Sequence, residues 1–264
     1  MIKKTKNSRP LISVITVCYN AKDYIEECMQ SVLKQDYDNF EYVIIDGGST
    51  DGTKETIGKY KENLSYWHSK SDRGLAHAFN EGVLHSKGIW LIFLNSDDYF
   101  LEEGTLKTIS DELLNNDSAD VIFGQVNIVS REKTPHYIGG PYGGEFNWND
   151  FLYRDTIPHQ AAFTNRRLFE QDGLFDENFN IAVDYEHYLR KGPALRATYV
   201  NKIISCMRDG GLSQESIGLS IREQHLARIV NEVMPSFRAY RIYVWVLFRA
   251  FAGRYAKKFL KFAK

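Results

Sequence analysis

Short apolar runs alternate with helical patterns along the first 98 residues of the chain. The runs are rich in β-branched and aromatic residues and short enough for strands buried on both faces; they lie at residues 11–17, 40–45, 64–68 and 89–94. Segments with helical spacing separate them, at residues 23–33, 53–60 and 75–84. This alternation predicts an α/β fold with a single doubly wound, mainly parallel sheet flanked by helices.

The second half of the chain mixes regular patterns with a longer irregular segment. Helices are predicted at residues 103–114, 166–172, 184–190 and 216–234, and strands at 120–129 and 194–206. Residues 134–149 instead combine glycines and prolines with four aromatic residues. Such a segment is either irregular packing or a mobile flap over a site.

Two adjacent carboxylates, Asp97 and Asp98, follow the fourth apolar run. Ligands bind at the carboxyl ends of strands in open α/β sheets. Two carboxylates repel each other unless a cation lies beside them, and hard oxygen ligands suit Mg²⁺ or Mn²⁺. The pair therefore predicts either a metal–phosphate site or an acidic loop that caps the next helix. The chain lacks GxGxxG and GxxxxGK[ST] motifs, which argues against dinucleotide-binding and P-loop proteins.

Charge is distributed unevenly. Residues 1–237 carry 25 basic and 34 acidic groups, a balance of −9, whereas residues 238–264 carry +8 and no acid. From Phe248 onward, aromatic residues share one helical face, and Arg254 shares the other with the lysines. A basic amphipathic C-terminal helix of this kind predicts an anionic membrane surface as partner. The alternative is a helix whose aromatic face packs on the domain.

Other bulk features favour a cytoplasmic protein. The three cysteines have no paired or metal-type spacing, which indicates a reducing compartment. The first ten residues lack the apolar run of a secretory signal, and no stretch has the roughly 18 apolar residues of a membrane span. We expect a location at the inner face of the cell membrane. We expect no nucleic-acid partner, because most of the chain is acidic and no nucleic-acid module is recognisable.

Six motifs follow one another within residues 10–213: SVITVCYN, IIDGGSTDGT, SDRGLAHAFNEG, SKGIWLIFLNSDD, PHQAAFTNRRLFEQDGLFDENF and VDYEHYLR. In this order and spacing they resemble the family 2 glycosyltransferases of the GT-A fold, and most closely the branch that builds bacterial exopolysaccharide and lipopolysaccharide. The resemblance implies a nucleotide-sugar-binding half at residues 10–130 and an acceptor-binding half of the same domain at 131–237, before the tail at 238–264.

The resemblance also implies roles for individual residues. Contacts with the nucleotide sugar are implied for Val17, Tyr19, Asn20, Asp46, Asp72, Arg73, Asn95 and Asp97. Asp98 matches the residue that coordinates the metal, Mn²⁺ or Mg²⁺, which bridges the diphosphate. A divalent cation stabilises the negative charge that develops on such a leaving group.

Asp184 matches the acidic residue that is usually taken as the catalytic base. An acceptor hydroxyl must lose its proton as it attacks, so a carboxylate is needed there. The alternative role is an N-cap for the helix at 185–190. His159 and Gln160 lie in a segment that resembles the acceptor side of the cleft, although a packing histidine is the alternative for His159.

The chain departs from the family pattern at three places. Gly47 stands where many members have a second acid, and His77 replaces an acid often found in this branch. No histidine stands beside residues 210–213, where some relatives supply a further metal ligand. Arg208 lies close to that position, and its guanidinium is an alternative group to meet the diphosphate charge.

The leading hypothesis is an inverting, metal-dependent glycosyltransferase that moves a sugar from a nucleotide-sugar donor, a UDP-sugar first of all, to a saccharide or lipid-linked saccharide. The first alternative is a non-catalytic nucleotide-sugar-binding scaffold subunit at the membrane. The second is a nucleotidyltransferase, which would need a glycine-rich loop with a basic residue after the first strand. Residues 18–21 do not provide such a loop.

Overall fold

The computed structural model describes residues 9–132, 136–211 and 216–262, with side chains as far as residue 250. Within these residues nine strands form one sheet. In chain order they are β1 (Ile12–Cys18), β2 (Phe40–Asp46), β3 (Tyr66–Ser69), β4 (Trp90–Phe93), β5 (Tyr99–Phe100), β6 (Val121–Val129), β7 (Tyr137–Tyr142), β8 (Ala162–Asn165) and β9 (Ala197–Arg208).

The helices fill the connections between the strands. They are α1 (Ile25–Leu33), α2 (Thr53–Lys59), α3 (Leu75–His85), α4 (Thr105–Asn115), α5 (Trp148–Tyr153), α6 (Arg166–Asp172), α7 (Val183–Leu189), α8 (Ile217–Val230) and α9 (Ser236–Phe262). Short 3₁₀ turns lie at Lys61–Asn63, His159–Ala161 and Gly192–Ala194.

The sheet has the strand order β3-β2-β1-β4-β8-β6-β9-β5, and β7 pairs with β6. Strands β1 to β4, β6 and β9 run in one direction, whereas β5, β7 and β8 run in the other. The predicted α/β fold with a mainly parallel sheet is confirmed. The carboxyl ends of β1, β2, β3 and β4 consequently meet at one edge, and the polar loops that follow them meet there too.

Two apolar layers cover the faces of this sheet. Alternate residues of a strand point to opposite faces, so Ile15 and Val43 enter one layer, while Val14 and Ile44 enter the other. Helices α1, α2 and α4 cover the second layer, and α3 with α5 to α9 cover the first. This double burial explains why the central strands have uninterrupted apolar sequences.

The glycine- and proline-containing segment is more ordered than its composition indicates. Strand β7 lies within it and pairs antiparallel with β6, although its side chains are mostly exposed. An exposed strand shows no alternation of apolar and polar residues, so the pairing depends on β6 rather than on a local pattern. Residues 133–135 of this segment lie outside the described part of the chain.

The tail begins as one continuous helix, α9. Its first turns pack on the domain, since Ala239 and Ile242 are buried in the core. A contiguous face remains exposed and carries the large apolar side chains of Phe237, Tyr240, Val244, Trp245 and Phe248. The predicted basic face, from Arg254 to Lys264, falls beyond the described side chains. Among the described residues, no helix is long and apolar enough to cross a membrane.

Candidate active site

A cleft of about 880 Å³ opens at the edge where the carboxyl ends of β1, β2 and β4 meet. Its walls come from two parts of the chain. The donor wall, named after the contacts predicted for its residues, consists of the loops after β1, β3 and β4 and the start of α3. The acceptor wall, named in the same way, consists of residues 155–160 and 181–184. Every residue predicted for the site lines this cleft except Asp46 and Arg73.

The loop after β1 is joined to the loop after β2 by hydrogen bonds at Asn20. Its backbone has φ of 50°, the left-handed conformation that asparagine tolerates better than most residues. The Asn20 amide donates to Ser49 Oγ at 2.7 Å, and the Thr50 amide donates to Asn20 Oδ1 at 3.0 Å. Beside it, the Tyr19 side chain is 68% exposed and lines the cleft. The aromatic face of Tyr19 is therefore free to stack on a ligand.

Gly47 makes room for a neighbouring carboxylate. A β-carbon built on Gly47 would lie 2.6 Å from Asp72 Oδ2 and 3.5 Å from the Tyr19 ring. A contact this short would require the Asp72 carboxylate to shift. The space beside Gly47 is thus occupied by the carboxylate of Asp72, which also accepts a hydrogen bond from the Gly74 amide at 2.9 Å.

Asp46 lies behind the cleft rather than in its wall. It is fully buried and accepts hydrogen bonds from the Ser49 amide at 3.0 Å, from Ser69 Oγ at 2.5 Å and from Ser49 Oγ. Its carboxylate ties the ends of β2 and β3 to the loop between β2 and α2. Asp46 therefore holds these loops in position, and its buried carboxylate does not reach a ligand in the cleft.

Arg73 also points away from the cleft. Its guanidinium makes a bidentate ion pair with Glu177, with Nε–Oε2 and NH2–Oε1 distances of 2.9 and 3.0 Å. The Arg73 side chain is 68% exposed. The pair joins the loop after β3 to the loop after α6, so it connects two distant segments of the chain at the surface.

Asp98 is a buried carboxylate at the floor of the cleft. Its Oδ1 accepts from the Arg208 backbone amide at 3.0 Å, and its Oδ2 accepts from Asn95 Nδ2 at 3.2 Å. The Gln160 side chain also lies within hydrogen-bonding reach. Burial, together with the negative charge of Asp97, raises the pKa of Asp98 to about 8. A cation at this carboxylate would offset both effects.

Two arginines stand next to the Asp97–Asp98 pair. Arg131 donates to Asp97 Oδ2 at 2.7 Å and to the Asp209 carbonyl at 2.6 Å. The buried Arg208 side chain donates to the Asp97 carbonyl and to Glu27 Oε2, the latter at 2.6 Å. The guanidinium groups of Arg131 and Arg208 lie over the Tyr24 ring, 5.6 and 4.9 Å from its centroid. Positive charge is therefore already fixed beside the place where a diphosphate would bind.

The oxygen-rich surroundings of Asp98 fit a divalent cation. Asp98 and Asp97 supply carboxylate oxygens, and Asn95 and Gln160 place amide groups beside them. Mg²⁺ and Mn²⁺ prefer such ligands and commonly use one or two carboxylates plus substrate phosphates. The fit is supported by the raised pKa of Asp98, because a bound cation would offset the burial and the negative charge of Asp97 that cause it.

Asp184 and His159 form a pair on the acceptor wall. His159 Nδ1 lies 3.1 Å from Asp184 Oδ2, and the two side chains are 17% and 10% exposed. The other ring nitrogen, His159 Nε2, is buried and has no hydrogen-bond partner among the described residues. Phe79 and Phe93 flank the imidazole, with ring centroids 5.1 and 5.6 Å away. His159 is therefore both packed and directed at Asp184.

The geometry does not use Asp184 as the N-cap of the helix. Helix α7 begins at Val183, so Asp184 lies in its first turn, and its Oδ1 accepts only from the adjacent Tyr185 amide at 2.8 Å. The free amides before the helix are satisfied by Glu223 of α8 instead. That buried carboxylate accepts from the amides of Ile181 and Ala182 at 2.8 and 3.0 Å, and from the Asn180 amide.

Asp155 is a second carboxylate on the acceptor wall. Burial, followed by the negative charge of Asp184, raises the pKa of Asp155 well above its ordinary value. Its Oδ1 accepts from the Ile157 amide at 3.1 Å. The negative charge of Asp184 thus reaches Asp155, so the two carboxylates interact across the acceptor wall.

Sequence reasoning did not single out Arg131, Asp155 or Glu223. Each is an isolated charged residue in a segment without a motif. Arg131 contacts Asp97, 34 positions away, and Asp155 interacts with Asp184, about 30 positions away. Glu223 contacts residues 180–182, more than 40 positions away. A local pattern could not reveal such pairings, although Asp155 stands only a few residues before the PHQ motif.

The family model described as glycosyl transferase family 2 matches residues 13–181 of the chain. A PGL/p-HBAD biosynthesis glycosyltransferase of Mycobacterium bovis is 30% identical over 210 residues, covering 77% of this chain and 79% of that protein. The hyaluronan synthase of Pasteurella multocida is 32% identical over 204 residues, covering 75% of this chain and 20% of that protein.

Solved structures with a similar fold include two with bound nucleotide sugars. TarS 1-349 of S. aureus, in complex with UDP-GlcNAc, has a TM-score of 0.66 at 21% identity, covering 91% of this chain and 72% of that chain. The mannosyltransferase PcManGT of Pyrobaculum calidifontis, in complex with GDP-Man and Mn²⁺, has a TM-score of 0.62 at 20% identity, covering 93% and 76%. These likenesses concern the fold.

Proposed function

Because the chain belongs to glycosyltransferase family 2 and has a GT-A type of fold, we propose that it moves a sugar, with inversion at the anomeric carbon, from a nucleotide sugar to a saccharide or lipid-linked saccharide. The observation that carries the proposal is one cleft lined both by the Asp97–Asp98 pair and by the Asp184–His159 pair. The first suits a nucleoside diphosphate, and the second suits proton removal from a hydroxyl.

The donor is held by the loops after β1, β3 and β4. The exposed Tyr19 ring offers a stacking surface to the nucleobase, while Asn20 fixes the loop that carries it. The carboxylate of Asp72 lies beside Tyr19 and suits hydrogen bonds from a base or ribose. Arg131 and Arg208 bring positive charge towards the diphosphate. We propose a UDP-sugar as the first donor to test.

Asp98, with Asp97, would hold Mn²⁺ or Mg²⁺ at the diphosphate. Bound there, the ion acts as a Lewis acid that stabilises negative charge on the departing nucleoside diphosphate. Asp98 is kept in place by the Arg208 backbone amide and by Asn95. Arg131 neutralises part of the charge on Asp97, so the pair does not carry two uncompensated charges in the absence of substrate.

Asp184 acts as the general base in this proposal. Its Oδ2 faces His159, and the Glu223 carboxylate fixes the backbone immediately before α7. A displacement with one base and without a covalent intermediate on the protein inverts the anomeric carbon. His159 and Gln160 lie beside the two carboxylate centres, where they can orient the acceptor hydroxyl and the sugar.

The acceptor is proposed to be presented at a membrane surface. The exposed apolar face of α9 includes Trp245 and Phe248, and Arg241 and Arg249 are exposed nearby. Aromatic and basic side chains on one helix suit the interface of an anionic bilayer. The protein should sediment together with phosphatidylglycerol vesicles, and the double variant Trp245→Ser with Phe248→Ser should sediment with them less. Equal retention of both proteins would contradict the membrane assignment.

The test of the reaction is a panel of nucleotide sugars with Mn²⁺ and oligosaccharide or lipid-linked acceptors, in which the anomeric configuration of the product is read by NMR. The proposal predicts one accepted donor, a product of inverted configuration, and loss of transfer in Asp98→Asn and Asp184→Asn. Tight donor binding that ignores Mn²⁺, without transfer to any acceptor, would favour a scaffold subunit. Release of pyrophosphate from a nucleoside triphosphate would favour a nucleotidyltransferase.

A further inference from the structure

A group of nitrogen and oxygen ligands lies at the outer edge of the sheet, apart from the cleft. His68 belongs to edge strand β3, while Glu81 and His85 stand one turn apart on the facing side of α3. One ligand atom from each of the three side chains lies within 4.8 Å of the other two. Residues 70–74, which include Asp72 of the donor wall, connect these two elements.

The distances are close to those of a metal-binding triad. His85 Nε2 lies 3.6 Å from Glu81 Oε2. Zinc ligands at about 2.0–2.1 Å from the ion stand roughly 3.4 Å from one another in a tetrahedral site. Small side-chain rotations are therefore enough to bring all three ligand atoms onto one ion. Glu81 and His85 side chains are 30% and 38% exposed, which leaves the ion open to a water ligand.

The surroundings orient the two imidazoles for this role. The Tyr66 hydroxyl lies 3.1 Å from His68 Nδ1, which leaves Nε2 of His68 for the ion. The Tyr66 ring stacks on His85 at a centroid distance of 3.9 Å and an angle of 8°. Second partners of this kind fix the tautomer and the direction of metal-binding histidines.

We propose that His68, Glu81 and His85 bind a borderline divalent cation of the Zn²⁺ type, with water completing its coordination. Two imidazoles and one carboxylate favour Zn²⁺ over Mg²⁺, whereas the oxygen-only set at Asp97 and Asp98 has the opposite preference. The ion would join β3 to α3 across the loop that carries Asp72. Because His68, Glu81 and His85 do not line the cleft, the ion would hold these two elements together and take no part in the reaction.

Isothermal titration and thermal unfolding with Zn²⁺ alone test the proposal, using the full chain. The variants are His68→Gln with His85→Gln, which removes both imidazoles, and Asp98→Asn, which alters the other metal site. The matched control is His136→Gln. His136 also stands beside a glutamate, with 3.4 Å between His136 Nδ1 and Glu132 Oε2, and belongs to no group of three ligands among the described residues.

The wild-type protein should bind one Zn²⁺ at the triad and melt about 5 °C higher at a hundredfold excess over Kd. Mg²⁺ at the same concentration should not reproduce that shift. Asp98→Asn and His136→Gln should keep the Zn²⁺-dependent rise in melting temperature, and the double histidine variant should lose this rise. The melting temperature of the double variant without metal shows whether the variant folds. A Zn²⁺ response that survives in the double variant, or that disappears in Asp98→Asn, would overturn the proposal.

Discussion

The two walls of the cleft each contain a pair of carboxylates, but their surroundings differ. Asp97 and Asp98 lie among Arg131, Arg208 and amide groups. Asp155 and Asp184 lie beside a single imidazole, His159, and no arginine or lysine side chain hydrogen-bonds or ion-pairs with either carboxylate among the described residues. Two guanidinium groups thus lie beside the first pair, whereas in the second pair burial raises the pKa of Asp155.

This difference shows how one type of side chain can serve two purposes in a single cleft. A carboxylate pair with oxygen ligands nearby suits a metal ion, whereas burial without a neighbouring cation raises the pKa of a carboxyl group. In this chain the donor wall therefore suits the leaving group and the acceptor wall suits the attacking hydroxyl. The following substitutions separate the two walls, beginning with the largest expected effect.

Asp184→Asn should lower kcat by about a thousandfold, because it removes the proposed base for the acceptor hydroxyl. The Kd for the nucleotide sugar should stay near the wild-type value, since Asp184 belongs to the acceptor wall. Steady-state kinetics together with calorimetry of donor binding measure both. Wild-type turnover in this variant would exclude Asp184 as the base.

Glu223→Gln should lower kcat about tenfold with little change in donor affinity. The amide keeps one acceptor oxygen but loses the charge that holds the backbone at 180–182, which costs about 1.4 kcal/mol at the transition state. A parallel loss of donor affinity would mean that Glu223 supports the whole domain. Leu219→Ala, at an exposed position of the same helix, is the control for general effects on α8.

Gly47→Ala should raise the KM for the donor about fivefold, because the new methyl group displaces the Asp72 carboxylate and costs about 1 kcal/mol. The matched control is Gly58→Ala on helix α2, where an added β-carbon meets no atom within 4 Å. That control should leave KM unchanged and raise the melting temperature slightly, since alanine favours a helix over glycine. Equal donor KM values in both variants would show that Asp72 does not contact the donor.

Asp155→Asn tests the raised pKa of Asp155 through the pH dependence of stability. The folded pKa of Asp155 is raised, so the folded state binds more protons than the unfolded state above the ordinary carboxyl pKa. The stabilising contribution of Asp155 to the free energy of unfolding is therefore present at low pH and is lost as the pH rises through the folded pKa. The wild type should therefore lose more stability than Asp155→Asn between pH 5 and pH 8. Parallel melting curves across this range would argue against a raised pKa.

The donor wall was more predictable from sequence than the acceptor wall. Tyr19, Asn20 and the Asp97–Asp98 pair each follow a strand whose apolar run is visible in the sequence, and Val17 lies at the end of the first run. Parallel strands place such loops at one edge. Asp46 and Arg73 follow strands too, yet hydrogen bonding and an ion pair turn them away from the cleft. The position of a residue after a strand thus predicts that it lies at the carboxyl edge of the sheet, but not the direction in which its side chain points.

The acceptor wall depends on packing between distant segments. Asp184 and His159 could be proposed only from the family resemblance, because nothing local distinguishes Asp184 from a capping residue. The Glu223 carboxylate reaches residues 180–182 from helix α8, and Arg131 reaches Asp97 from the loop after β6. Such contacts depend on how the later helices and the antiparallel strands pack against the parallel strands β1 to β4, and no periodic pattern in the sequence predicts this packing.

Calorimetry of donor binding with and without Mn²⁺ tests the division between the walls most directly, with Asp98→Asn and Asp184→Asn measured beside the wild type. The account predicts that Mn²⁺ strengthens binding of the nucleotide sugar to the wild type and to Asp184→Asn equally, and that this gain disappears in Asp98→Asn. A Mn²⁺-dependent gain that persists in Asp98→Asn, or that is lost in Asp184→Asn, would contradict it.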